Sequence, residues 1–177
     1  MEKISKYLTK GLGYIGFCGL ALNSYLAFGQ QWKPFSVAST ASLHSQPFGY
    51  NRATNHRLYL CQANLWGSLQ LGITWGKHAK CELPYANKKY SVDKFSILKR
   101  ADGVKWQNYY GYFPKNAFIL GSGIKSVPLA VCRGYYKRSL LVGKTWRNHG
   151  TCDAVYLHSI QHLKRYSILI HSTQPLA

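Results

Sequence analysis

Two stretches of this sequence carry reactive residue types at matching spacing, His78-x-x-Cys81 and His149-x-x-Cys152. An imidazole three residues from a thiolate suits tetrahedral zinc, and two such pairs would supply four ligands. Two histidines with lysines close by also suit cleavage of a phosphodiester, one imidazole accepting a proton and the other donating one. The surrounding segments, LQLGITWGKHAKC at 69–81 and LLVGKTWRNHGTC at 140–152, are versions of one another. Paired catalytic histidines need unlike environments, whereas a duplicated position meets the same environment twice. The shared Gly, Thr-Trp, His and Cys therefore read as scaffold, with each imidazole nitrogen bonded to a nearby carbonyl. Lys144, which follows the glycine in the second segment only, is the better candidate for function. Ile73 takes its place in the first.

The elements that must hold these residues are duplicated as well. Shifted by 71 residues, 58–99 aligns with 129–170 without a gap, and 13 of those 42 positions are identical. Chance would give only a few, so the chain contains two copies of one module. The copies are expected at 30–101 and 102–177, joined at the turn signal Asp102-Gly103. Strand signals dominate both: LYLCQANL, SLQLGITW and DKFSILKR recur as PLAVCRGYY, SLLVGKTW and KRYSILIH, and NAFILGSG adds another. No stretch shows a sustained helical period with caps. The expected fold is all-β. A unit of about 70 residues buries little surface alone, so the copies should share one core across a pseudo-twofold axis.

The N-terminus has the pattern of an export signal. Lys3, Lys6 and Lys10 precede an apolar run rich in small residues, and Ala27-Phe28-Gly29 suits cleavage before Gln30. Residues 1–29 are thus expected to leave as a signal peptide, with no transmembrane span remaining and the product secreted or periplasmic. The remaining 148 residues hold 20 basic and 4 acidic side chains, a net charge of +16. Such a field attracts lipopolysaccharide, acidic lipids, acidic glycans or nucleic acid. The four acids, Glu82, Asp93, Asp102 and Asp153, are too few for a carboxylate hydrolase and read as surface or turn residues. Four cysteines remain, Cys61, Cys81, Cys132 and Cys152, and an oxidising compartment favours disulfides over zinc thiolates. Three pairings are open. The recurring separation suits one bond per copy, each closing a loop of about 20 residues for roughly 3 kcal/mol.

The motifs, in this order and twice over, resemble the DM-nine repeat found in natterin-like and other secreted proteins. The second copy carries the resemblance through Trp106, Pro114, Ala117, Gly121, Val131-Cys132-Arg133-Gly134, Gly143-Lys144, Cys152, Tyr156 and Tyr166-Ser167-Ile168-Leu169. The first does so through Trp32, Tyr59-Leu60-Cys61-Gln62-Ala63, Gly72, Cys81, Tyr85 and Phe95-Ser96-Ile97-Leu98. The resemblance implies a β-rich, lectin-like binder without catalysis, cofactor or metal. It places ligand contacts at the lysine after the glycine, Lys144, and at a loop position before the first cysteine. The family often has aspartate there; this chain has Asn51 in one copy, allowing a one-residue insertion, and Gly123 in the other. Lys88, Lys89 and Arg133 are basic helpers. The implied site is more basic and less symmetric than its relatives', and takes glycans or anionic surface molecules. The alternative is a secreted basic effector acting on membranes or RNA, as a nuclease through His78 and His149.

Overall fold

The fold is that of a computed structural model, which describes residues 45–76 and 78–172 and the backbone of 32–34. The expected signal peptide lies outside the described residues. Among the described residues fourteen strands run in chain order: β1 (Trp32–Pro34), β2 (Gly49–Asn51), β3 (His56–Leu65), β4 (Ser68–Thr74), β5 (Cys81–Tyr85), β6 (Lys88–Val92), β7 (Ser96–Leu98), β8 (Val104–Asn108), β9 (Ile119–Ser122), β10 (Pro128–Tyr136), β11 (Ser139–Thr145), β12 (Cys152–Tyr156), β13 (Ser159–Leu163) and β14 (Ser167–His171). A 3-10 turn at Ile124–Ser126 joins β9 to β10. The all-β expectation holds.

Each repeat builds the same antiparallel set. β3 pairs with β4 and β7, β4 with β5, and β5 with β6; β10–β14 repeat that pattern. The remaining strands interlock the copies. β2 pairs with its own β3 and with β11, Tyr50 opposite Leu140. In return β9 pairs with its own β10 and with β4, Leu69 opposite Ser122. The exchange is reciprocal, as an approximate twofold requires.

The main core spans both copies: Leu58, Leu60, Leu71 and Phe118 pack with Leu141, Ile168, Leu169 and Ile170. Each such side chain contributes roughly 1.5–3 kcal/mol on burial. A smaller cluster around Cys61, Cys81, Leu83 and Ile97 belongs to the first copy alone. The disulfides are Cys61–Cys81 and Cys132–Cys152, one per copy. Glycines permit the close approaches. A Cβ on Gly72 would lie 2.3 Å from the Glu82 carbonyl oxygen, and one on Gly143 2.0 Å from that of Asp153.

Candidate functional site

The interlocked strands wall two related clefts, each drawing residues from both copies. The first, about 420 Å³, is floored by Lys144 on β11, Asp153 on β12, Trp146 and His149, and closed by Gln70 and the β5–β6 turn of the other repeat. The second, about 250 Å³, holds the equivalents: Ile73, Glu82, Trp75 and His78, closed by Leu157 and His158 after β12.

Antiparallel register explains which side chains meet. Residues directly opposite on neighbouring strands share a face of the sheet. Lys144 faces Asp153, which faces His162, giving one row across β11, β12 and β13. Ile73, Glu82 and Ser91 form the matching row across β4, β5 and β6.

The two rows solve the same electrostatic problem differently. Glu82 is 2% exposed. Its carboxylate takes His78 Nε2 at 2.9 Å, Lys89 Nζ at 2.9 Å and the Ser91 hydroxyl at 2.9–3.0 Å. Burial alone would push its pKa up; the bonds from Lys89, His78 and Ser91 outweigh that and hold it below the ordinary value. Asp153 is also buried, with Oδ1 2.9 Å from His149 Nε2, 2.7 Å from His162 Nδ1 and 3.2 Å from Thr151 Oγ1. Lys144, 4% exposed, donates instead to Gln70 Oε1 of the other repeat, and its ammonium stands 5.5 Å from the centre of the Tyr85 ring. Burial lowers its pKa to about 8, against the attraction of Asp153.

The tryptophans fix the imidazoles. Trp75 stacks on His78 at 3.9 Å and Trp146 on His149 at 3.4 Å between ring centroids. Both indoles are half-buried and pack against the main core, as the scaffold reading expects. Two expectations are corrected. The imidazole nitrogens meet carboxylates rather than carbonyls, and Glu82 and Asp153 are buried rather than surface residues. Asp93 and Asp102 are the solvated ones, their side chains 77% and 45% exposed. The recurring four-residue spacing from histidine to acid was the signal that could have found this pair.

The sequence-derived contacts do not converge on one place. Lys144 lines the first cleft, while Asn51 and Lys89 line the second. Asn51 is buried, and its Oδ1 accepts from the Ala53 amide at 3.0 Å, so it shapes the β2–β3 turn. Arg133 lies in a third cleft, its guanidinium 4.1 Å over Trp106 and its pKa lowered by burial. Lys88 is exposed at the start of β6. His78 and His149 line separate clefts, whereas the nuclease mechanism needs two imidazoles at one. The zinc reading through cysteine is overturned too, since Cys81 and Cys152 are both in disulfides.

Two interlocked β-repeats with paired clefts make a tandem-repeat architecture that fits a binding protein. The chain belongs to the DM9 repeat family, whose profile matches residues 52–159 across the join between the copies. None of the curated proteins matches the sequence. Among solved structures the fold is similar to that of the nematode sperm cell motility protein MFP2B, with a TM-score of 0.61 at 12% identity over 84% of this chain and 48% of that one. The chain thus spans about half the length of that protein, and the likeness is one of fold. Two disulfides are consistent with an extracellular protein, and among the described residues no helix is long and apolar enough to cross a membrane.

Proposed function

We propose that this chain is an exported binding protein, which recognises glycan hydroxyls or the anionic groups of cell-surface molecules through the Lys144 cleft, without chemistry. One observation carries the reading: a buried ammonium on the floor of an open cleft whose walls include Tyr85 and Trp146. Ammonium and carboxylate together suit a pair of sugar hydroxyls, one as donor and the other as acceptor. An aromatic wall packs on the apolar face of a pyranose ring. The second cleft lacks an ammonium at that position, having Ile73, so the binding stoichiometry should be one.

The test is a glycan array probed at two salt concentrations with the parent chain and Lys144→Met. Methionine keeps most of the buried volume, which Lys144→Ala would not. The expected result is binding that survives high salt, is competed by a simple sugar, and falls at least about tenfold in the variant. Equal binding by the variant would overturn the assignment.

A second reading rests on the third cleft, where Tyr110 and Tyr135 are 73% and 76% exposed beside Arg133, Lys164 and Arg165. Aromatic faces flanked by bases suit nucleic acid or anionic lipid headgroups. That mode would lose affinity steeply as salt rises and would be indifferent to Lys144.

A further inference from the structure

We infer that His149, Asp153 and His162 form a site for a divalent transition-metal ion of the zinc type, with one open position facing the Lys144 cleft. Three side chains on two strands and the turn before them aim their donor atoms at one point. His149 Nε2 lies 2.9 Å and His162 Nδ1 2.7 Å from the same oxygen, Asp153 Oδ1, and the three ligand atoms fall within 4.8 Å of one another. Two imidazoles and one carboxylate are a donor set that zinc takes with a fourth position left for water or a ligand. In a tetrahedral site with bonds of about 2.0–2.1 Å the donors stand roughly 3.4 Å apart, so the two carboxylate-to-imidazole distances need to widen by about half an ångström. His162 has that freedom, its side chain being 46% exposed.

Supporting contacts hold the other two ligands. The His149 ring lies flat on Trp146, which sets its plane, and Thr151 Oγ1 sits 3.1 Å from His149 Nε2 and 3.2 Å from Asp153 Oδ1. The stacking orients the ring, whereas the Thr151 hydroxyl lies against the donor atoms themselves and turns aside when an ion enters. Lys144 is the other register neighbour of Asp153, but its ammonium is drawn to Gln70 across the repeat boundary, leaving the carboxylate to the imidazoles.

The first repeat is the internal control. At the register position of His162 it has Ser91, and the Lys89 ammonium already stands 2.9 Å from Glu82. A cation built into the chain fills that place, so one ion per chain is the expected stoichiometry. Because Asp153 and His149 also line the first cleft, the open position faces it, and its exchangeable ligand would be a hydroxyl or an anionic oxygen. Copper and nickel should bind the same donors, in the usual order of affinities. The inference stands apart from the glycan reading, since it concerns the ion alone.

The test uses the disulfide-intact chain, stripped with chelator and titrated calorimetrically with zinc chloride alone. The parent should bind one ion with a saturating curve. His162→Ser, the residue that β6 carries at the same register, should weaken binding by about 100-fold or more. His158→Ala, in the other cleft, should leave it unchanged. Cobalt offers a second readout, with the strong visible absorption of four-coordinate Co²⁺ in the parent and its loss in His162→Ser and in Asp153→Asn. A parent that takes up no saturating ion, or a His162→Ser chain that binds as the parent does, would overturn the proposal.

Discussion

The two clefts descend from one sequence and differ mainly in where the lysine sits. In the second cleft the ammonium is on β6, as Lys89, and the position after the glycine is Ile73. In the first the ammonium is on β11, as Lys144, and Ile160 occupies the β13 position matching Lys89. At these matched positions each repeat keeps one lysine, one isoleucine and one buried acid. Moving the lysine changes its work. Lys89 neutralises Glu82 directly, and its cleft is electrostatically closed. Lys144 bonds a neutral amide instead, so both it and Asp153 retain capacity for something from outside. Duplication kept the scaffold and gave its one lysine two different tasks, pairing the buried acid in one cleft and lining the open floor of the other.

The largest effect should come from what the clefts share. Gly143→Ala puts a methyl group 2.0 Å from the Asp153 carbonyl oxygen, with backbone atoms as its three nearest neighbours. No rotamer relieves a clash with backbone, so β12 must separate from β11. We expect a loss of about 3 kcal/mol or more in urea denaturation. Gly72→Ala meets the Glu82 oxygen at 2.3 Å and should cost nearly as much. If one repeat tolerated its alanine, the two scaffolds would not be equivalent.

A smaller effect separates the lysines. Lys89→Met leaves Glu82 buried with one charged partner gone, while His78 and Ser91 remain. The expected cost is about 1–3 kcal/mol of stability with ligand affinity at the first cleft unchanged. Lys144→Met should do the reverse, lowering affinity without lowering stability. A Lys89 variant that lost binding, or kept full stability, would dissolve this division of labour.

Much of this was legible in the sequence, for physical reasons that also mark where legibility stopped. The strands with dense apolar and aromatic runs, β3, β4, β7, β9, β10, β11 and β14, announce themselves. The hairpins β5–β6 and β12–β13 do not, because their turns lack the usual Asn-Gly pair. Ala86 and Asn87 take φ of 46° and 59°, and Leu157 takes 55°. Hairpin turns of this twist need left-handed backbone, and alanine or leucine there gives no warning. The missing hairpins carry Glu82, Asp153, Lys89 and His162, so the acidic rows were hidden with them. Lys144 and the histidines were found through asymmetry and repetition. Gln70 and Tyr85 were not, since they reach the Lys144 cleft only through strand exchange between the copies.

The finest distinction between the clefts is their response to pH, in two separate windows. Lys144 has a folded pKa of about 8 against an ordinary 10.5. Between those values the unfolded chain binds more protons than the folded one, so stability rises with pH across that window, by up to about 3 kcal/mol. Tyr166, pushed up to about 12 by burial, acts in the opposite sense above pH 10, so the difference between the parent and Lys144→Met isolates the lysine. Glu82 is held below its ordinary 4.5, so its contribution is complete above that pH and drains away as pH falls through the folded value. Glu82→Gln should therefore flatten the acidic limb of a stability–pH curve and Lys144→Met the alkaline one. Binding at the first cleft should decline as pH rises through about 8, because the ammonium loses its proton there. A decline centred near 10.5 would mean that Lys144 is solvated, and the contrast between a closed cleft and an open one would lose its basis.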